Sequence, residues 1–170
     1  DAADGKLKSE KRLATKPKFS DVDASPVLDG GVFYISSYDG ALFALRSGSL
    51  ETLWKIDSGA SRSVSIEGPT LYLGASDGTV QAIEKASGKV LWKFETDGGV
   101  PTQPLLTESY VIVGSSHQYL YALDKKTGEL RDRWNVGYGS GFGGNLAYDG
   151  SKKLVYVVSG GANLYTLKVR

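Results

Sequence analysis

The apolar and polar positions of this chain fall into short runs separated by turn residues, which predicts β-strands. The clearest unit is residues 31–54, GVFYISSYDGALFALRSGSLETLW, where apolar runs at 32–35 and 42–45 flank an Asp-Gly pair. Asp-Gly between two apolar runs is a strong signal for a β-hairpin, because such a turn needs positive φ angles. A polar turn containing Gly48 follows, and then a run that carries Trp54. The unit therefore predicts a meander of antiparallel strands.

The same unit recurs at residues 70–92, at 110–134 and, without its last strand, at 154–167. A repeat of roughly 40 to 45 residues with four strands per unit is typical of a β-propeller. A plain β-sandwich is the alternative, but a sandwich does not repeat a glycine turn and a tryptophan-bearing run three times at this period, with Asp-Gly in two of the hairpins. We therefore predict an all-β fold, a β-propeller built of four four-stranded antiparallel blades.

Each blade is expected to begin with an innermost strand of small residues. The second strand is apolar on both faces, which suits a blade packed between two others. A tryptophan falls on the outer strand, where a large ring can cover the seam between blades. The segments expected to contain the innermost strands are 20–28, 61–68, 101–108 and 141–150.

The chain is predicted to divide into a polar leader, residues 1–18, and a propeller domain, residues 19–170. The start of the leader has the composition of a solvated segment. Residues 11–19, KRLATKPKF, alternate weakly and predict an edge strand, where Pro17 is tolerated because an edge strand need not donate every N–H. Because the last repeat ends without an outer strand, residues 11–19 are the candidate to supply it.

Composition narrows the classes of function. Lys and Arg number 20 against 19 Asp and Glu, so the sequence shows no basic footprint for nucleic acid. The chain has no cysteine, which excludes disulfides, thiolate nucleophiles and cysteine-ligated zinc. No apolar run approaches the roughly 18 residues of a membrane-spanning helix.

The candidate catalytic groups are better explained as turn residues. His117, the single histidine, holds the hairpin position that Asp39 and Asp77 hold in earlier repeats. The glycine-rich stretch at 138–144, YGSGFGG, lies between strands rather than at the start of a helix, so it is a poor phosphate cradle. No spacing typical of metal ligands occurs. We predict no catalytic residue, no metal site and no cofactor.

Asp21 and Asp23 are the predicted partner-binding residues. They flank Val22 just before the first innermost strand, and residues two apart in an extended segment point the same way. The loops between blades are the usual binding surface of a propeller. A local cap or turn is the alternative role for this pair.

Two resemblances extend these predictions. YLYALDKKTGEL and TVQAIEKASGKVLW resemble the repeat of pyrroloquinoline-quinone-type propellers, approximately VYxxSxDGxLYALDxxTGxxLW. Dehydrogenases of that class have a larger propeller, calcium ligands and adjacent cysteines, and this chain has neither the size nor any cysteine. SDVDASPVLDGGVF, SGFGGNLAYDG and NLYTLKVR resemble the BamB family more closely. That match covers residues 20–170 and corresponds to the C-terminal half of the family's eight-bladed ring.

The resemblance to BamB implies a non-catalytic scaffold lipoprotein of the outer-membrane β-barrel assembly machinery. Paired aspartates of the family's S-D-V-D segment help to contact the periplasmic POTRA domains of BamA, and Asp21 and Asp23 would inherit that role. The family's other contact loop, which contains Leu-Arg, has no counterpart here. An N-terminal lipidated cysteine tethers the family to the periplasmic side of the outer membrane. Since the given sequence contains no cysteine, the resemblance implies that Asp1 would follow a removed or mutated cysteine. Residues 1–18 would then be the tether and the lipid the only membrane contact.

The resemblance also implies an oligomeric state. Four repeats make half of an eight-bladed ring, which would expose two blade faces and a sheet edge. A homodimer with two-fold symmetry would cover both, with the leader strand donated in trans. A four-bladed ring closed within one chain is the alternative. For function, the alternatives are a quinone- or ligand-binding propeller of quinoprotein type and a generic protein-interaction propeller.

Overall fold

The computed structural model describes residues 3–13, 22, 24–38 and 40–169, and the repeating apolar runs form strands throughout them. Among these residues, no helix is long and apolar enough to cross a membrane. The strands are β1 Val27–Asp29, β2 Val32–Ser37, β3 Ala41–Arg46, β4 Thr52–Ile56, β5 Ser65–Glu67, β6 Thr70–Gly74, β7 Thr79–Glu84, β8 Val90–Glu95, β9 Leu105–Leu106, β10 Tyr110–Gly114, β11 Tyr119–Asp124, β12 Leu130–Asn135, β13 Ala147–Asp149, β14 Leu154–Val158 and β15 Leu164–Lys168.

The strands form four antiparallel meanders in which each strand pairs with the next along the chain. The first sheet holds β1–β4, the second β5–β8, the third β9–β12 and the fourth β13–β15. This confirms the predicted all-β fold of the β-propeller type, with its short innermost strands and its tryptophans on the outer strands. The fourth sheet has three strands in the described part of the chain, as expected from a repeat that lacks its outer run.

The outer strand carries one extra residue at the same place in three sheets. The register against the third strand shifts between Ala44 and Leu45, and again at the equivalent pairs in the second and third sheets. Such a bulge bends the strand and changes which face its side chains occupy. The sequence pattern alone did not predict this bulge, which directly precedes Trp54 and Trp92.

The chain divides into two compact units, residues 1–63 and 64–170. The first unit contains the first sheet, one face of which carries a cluster that includes Ile35, Phe43 and Leu45. Leu13 packs against this cluster, and the ammonium group of Lys11 donates hydrogen bonds to the Leu50 carbonyl (2.8 Å) and to Thr52 Oγ1 (2.6 Å).

These contacts place two leader residues, Lys11 and Leu13, against the first sheet. Residues 14–19 lie outside the described residues, so the prediction that 11–19 complete the last sheet stays a prediction. The boundary between leader and propeller domain at residues 18 and 19 falls there as well.

The second unit packs three sheets face to face. One face of the third sheet packs its Val111, Tyr121 and Leu123 against Tyr72 and Val80 of the second sheet. Its opposite face joins the fourth sheet in a cluster with the residues Ile112, Leu120, Phe142, Val155 and Val157. The third sheet is therefore apolar on both faces because it lies between two others, as the sequence pattern predicts.

Candidate functional site

The predicted partner-binding residues Asp21 and Asp23 lie outside the described residues. Of their surroundings, Val22 is exposed and Ala24 is buried. The hydroxyl of Ser63 donates to the Ser25 carbonyl at 2.9 Å, which fastens the approach to β1. The role predicted for the two aspartates therefore stays a prediction.

Asp77 is a turn former, as the sequence predicts. Its Oδ1 accepts hydrogen bonds from the Thr79 amide (3.1 Å) and the Thr79 hydroxyl (2.6 Å), and Lys93 Nζ lies 3.3 Å from its Oδ2. Burial acts to raise the pKa of Asp77, but the bonds from Thr79 and Lys93 outweigh it and lower that pKa. Its carboxylate therefore stabilises the β6–β7 hairpin. Asp39, the equivalent residue of the first sheet, lies outside the described residues.

His117 also serves its hairpin. Its amide donates to Ser115 Oγ at 3.1 Å, and its ring packs against Gly98, where an added Cβ would lie 3.0 Å from Nδ1. The Ser115 hydroxyl donates to the Gly98 carbonyl at 2.6 Å. The hydroxyl is thus directed at a backbone oxygen, so these side chains are not arranged as a nucleophile and its base.

The connecting segments and hairpins of the second unit form one continuous layer. We call it the loop layer and define it by residues 96–104, 115–118, 136–146 and 159–163. The Ser116 amide donates to the Val100 carbonyl (3.0 Å), and the Phe142 amide donates to the Ser115 carbonyl (2.7 Å). The Gly160 amide donates to the Gly141 carbonyl at 2.7 Å. Because loops on a rigid scaffold are where binding residues concentrate, this layer is the candidate interaction surface.

A cleft of about 620 Å³ lies beside Trp92, where the second and third sheets meet. The indole N–H of Trp92 donates to the Lys125 carbonyl at 3.1 Å, and Gly128 packs directly on the ring. Lys125 Nζ binds both carboxylate oxygens of Glu67, at 2.8 and 2.9 Å, across the same seam. These contacts join the two sheets, which is a structural role.

The turn that covers Trp92 is itself fixed by a carboxylate. Asp124 accepts hydrogen bonds from the Thr127 amide (3.0 Å), the Lys126 amide (2.9 Å) and Arg131 Nη2 (3.0 Å). The Thr127 bond, with those from Arg131 and Lys126, lowers the pKa of Asp124 to about 2. Asp124 is therefore ionised at neutral pH and stabilises the turn.

A second cleft, of about 610 Å³, lies beside Trp134 between the third and fourth sheets. The rings of Trp134 and Tyr165 meet edge to face with centroids 4.6 Å apart. Arg131, Arg133 and Lys168 are among the residues that line it. In the part of the chain that the structure describes, no group of three or more His, Cys, Asp or Glu residues could hold a metal ion.

Comparison with known proteins gives one family. The model of the family described as outer membrane protein assembly factor BamB matches residues 1–94 and 76–170. A curated relative of that name from Marinobacter adhaerens is 30% identical over 106 residues, which are 62% of this chain and 18% of the relative. Another, from Alteromonas naphthalenivorans, is 44% identical over 46 residues, 27% of this chain and 11% of the relative. The chain thus matches a fifth or less of the length of these relatives.

Solved structures share the fold. BamB from Moraxella catarrhalis superposes with a TM-score of 0.74 at 22% identity, over 88% of this chain and 47% of that one. Quinohemoprotein alcohol dehydrogenase from Comamonas testosteroni gives 0.71 at 21% identity, over 81% and 29% of the two chains. The computationally designed Ika4 protein gives 0.76 at 16% identity, over 96% and 100%. At these identities the likeness describes the fold alone.

Proposed function

The chain belongs to the family of outer membrane protein assembly factor BamB, and on that premise we propose that it is a non-catalytic scaffold in outer-membrane protein assembly. The observation that carries this proposal is the family match, which extends over the whole chain. The side chains described for the clefts and hairpins are consistent with a scaffold, because their contacts hold sheets and turns together. Both clefts are lined by several charged side chains, whereas small-molecule pockets are lined mostly by apolar ones.

The proposed partner is BamA, bound through its periplasmic POTRA domains. Asp21 and Asp23 are the proposed contact residues, because they precede the innermost strand of their repeat and stand in the S-D-V-D segment. The exposure of Val22 between them supports an accessible segment. Two carboxylates in such a loop would make the contact sensitive to ionic strength.

The proposed location is the periplasmic side of the outer membrane, with a lipid anchor attached through the N-terminal leader. Family membership supports this location, and the exposure of residues 3–12 is compatible with a tether. Cell fractionation, with and without detergent, tests the proposed location. Recovery with the outer membrane is expected, and recovery only in the cytoplasm would contradict the proposal.

The test of the partner uses purified BamA periplasmic domains and isothermal titration calorimetry. Asp21→Ala with Asp23→Ala is expected to weaken binding by about tenfold or more, because both charges leave the contact. The matched control is Glu10→Ala with Asp57→Ala, which removes two exposed charges elsewhere. Normal binding by the first double variant refutes the transferred role, and a lowered melting temperature favours the cap interpretation.

The quinoprotein alternative is tested separately, by the binding of quinone and Ca²⁺. Absorption spectra and thermal melts are recorded with added pyrroloquinoline quinone and Ca²⁺. The scaffold proposal predicts no saturable spectral change and no rise in melting temperature. A saturable rise would favour a ligand-binding propeller instead.

A further inference from the structure

The first described residues of the leader form the kind of turn that precedes an outer strand. The Lys6 amide donates to Asp4 Oδ1 at 3.1 Å, and Gly5 between them has φ 68°. The same bond across a glycine of positive φ occurs immediately before β8 and β12. There Ser87 Oγ accepts from the Lys89 amide at 3.2 Å across Gly88 (φ 76°), and Thr127 Oγ1 accepts from the Glu129 amide at 3.3 Å across Gly128 (φ 74°). Lys6 therefore stands where an outer strand begins.

The segment that follows this turn contacts the first sheet with alternate residues. Lys11 binds that sheet and Leu13 packs on it, and residues two apart in an extended segment point to the same side. In the outer strand β8, Trp92 and Phe94 are also two apart, and both pack against the cluster that the second sheet shares with the third. The leader thus contacts the first sheet in the way that β8 contacts the third.

The leader has the turn and the contacts of an outer strand but no third strand beside it. Residues 5–13 belong to no strand in the part of the chain that the structure describes, and Leu7 is 77% exposed. The backbone N–H and C=O groups of an unpaired extended segment are available to pair with the edge of another strand. The leader therefore has the form of an outer strand without its sheet.

The fourth sheet has the opposite deficit. Among the described residues, β15 pairs with β14 alone. Its Leu164 is 67% exposed and its Thr166 is exposed, whereas the equivalent residues of β7, Val80 and Ala82, are 0% and 1% exposed. The strand β15 consequently has both a free edge and an uncovered face, and in the second sheet an outer strand and a neighbouring sheet cover the same places.

We infer that residues 6–11 of one copy of the chain pair with β15 of a second copy and supply its outer strand. The occupant is a second copy, because the described leader lies on its own first sheet while β15 of the same chain has no partner on its free side. The inference goes beyond the proposed function and does not depend on it. It also places the closing strand before most of segment 11–19, which the sequence pattern predicts.

The second sheet gives the register of this pairing. In that sheet Val90 pairs with Ile83, Trp92 with Ala82 and Phe94 with Val80. Counting from the turn glycine, the leader residues at the positions of Val90, Trp92 and Phe94 are Leu7, Ser9 and Lys11. The expected pairs are therefore Leu7 with Leu167, Ser9 with Thr166, and Lys11 with Leu164.

The experiment joins the predicted pair by a disulfide, since the chain has no cysteine of its own. Ser9→Cys and Thr166→Cys, both at exposed positions, are made in separate chains, one of which is isotopically labelled. The mixed chains are treated with oxidised glutathione, which is reduced to two thiols as the two cysteines join. Directly opposite residues of an antiparallel pair have Cα atoms about 4.5–5.5 Å apart, a distance that a disulfide spans.

A dimer of one labelled and one unlabelled chain is expected, measured by mass spectrometry. The matched control mixes Ser9→Cys with Val158→Cys, at a 55% exposed position of β14. That position is one strand further away, about 10 Å from the leader strand, so several-fold less mixed dimer is expected. The melting temperatures of the reduced variants should equal that of the parent.

A chain that carries both Ser9→Cys and Thr166→Cys distinguishes the two sources of the strand. Two chains joined by two disulfides are expected. A disulfide closed within one chain would show that the leader completes its own fourth sheet, which overturns the assignment to a second copy. Equal cross-linking in the control, or none with Thr166→Cys, overturns the outer-strand assignment itself. Because BamA is absent from the experiment, these outcomes leave the proposed function to its own test.

Discussion

At the scale of single residues, tryptophan and glycine act together at the seam between the second and third sheets. Trp92 packs on the Gly128 turn, donates to the Lys125 carbonyl and lies 6.0 Å from Tyr72 between ring centroids. Gly128 has φ 74°, and an added Cβ would lie 2.6 Å from the indole. Glycine is therefore required there both by the backbone and by the ring above it.

Trp92→Ala is expected to lower the free energy of unfolding by about 3–5 kcal/mol, because the contacts of the ring with Gly128 and Tyr72 and its hydrogen bond to the Lys125 carbonyl are lost. Trp92→Phe retains an aromatic ring and loses the hydrogen bond, so a smaller loss is expected. Urea unfolding measures both variants. A loss of less than about 1 kcal/mol for Trp92→Ala would contradict the role of the ring, since that is the level of ordinary surface substitutions.

The β3–β4 turn of the first sheet has leucine where its equivalents have glycine. Leu50 has φ 56°, and its amide donates to the Arg46 carbonyl as those of Gly88 and Gly128 do in their turns. Gly48, the glycine of this turn, is not at a positive φ. The sequence pattern indicates the turn but not the residue that adopts the left-handed conformation.

Leu50→Gly is therefore expected to stabilise the chain by about 0.5–1 kcal/mol, because a left-handed conformation costs a residue with a Cβ about 1–2 kcal/mol and some apolar contact is lost in exchange. Gly48→Ala is the control, since an added Cβ there meets nothing within 4 Å. Thermal and urea unfolding are the measurements. A destabilised Leu50→Gly would mean that the leucine side chain contributes more than its backbone costs.

At the scale of elements, the two parts of the leader differ in their contacts with the first sheet. Residues 3–12 are exposed, whereas Leu13 packs against the cluster on the first sheet and Lys11 binds the segment that leads into β4. The leader thus has a solvated start and a contact region that begins near residue 11.

Deletion of residues 1–18 is expected to lower the melting temperature or to change the assembly state, because it removes the Leu13 contact and the strand proposed for the last sheet. Deletion of residues 1–9 separates the two strand assignments, since it should change neither property if residues 11–19 are the strand and at least one if residues 6–11 are. Differential scanning calorimetry and light scattering check both. If the longer deletion matched the parent in melting and mass, the leader would have no structural role.

At the scale of the whole molecule, the proposed homodimer depends on what covers the last sheet. Val158 and Leu164, which pair across β14 and β15, are 55% and 67% exposed. In the described part of the chain, β15 pairs on one side only. Exposed apolar pairs and free strand edges favour association with another copy, and two chains of four repeats would complete eight blades.

Light scattering of the 170-residue chain across a dilution series is expected to give about twice its 18.2 kDa mass. Two seams of this kind should bury on the order of 2,000 Å² or more, which is typical of stable dimers. Leu164→Glu should dissociate the dimer, while Leu53→Glu, at an exposed position on β4, should not. A monomer at micromolar concentration would favour four blades that close within one chain.

The sequence by itself determined the order of the strands, the hairpins between them and the placement of Trp54, Trp92 and Trp134 on outer strands. These features follow from short-range patterns, namely alternating apolar runs and turn residues at a fixed period. The same patterns identified His117 and Asp77 as turn residues, since their roles depend on neighbours two residues away in the chain.

Only the tertiary structure decided which of two aromatic residues in one glycine-rich loop is buried. Phe142 fills the space above Gly114 and Tyr138 is exposed, although the sequence around them is nearly the same. The outer-strand bulge and the left-handed Leu50 were decided in the same way. Phe142 contacts a glycine of strand β10 that is distant in the chain, whereas the bulge and the Leu50 turn depend on how two consecutive strands pair. A period of apolar residues specifies neither the neighbour that fills a given space nor the register of a pair of strands.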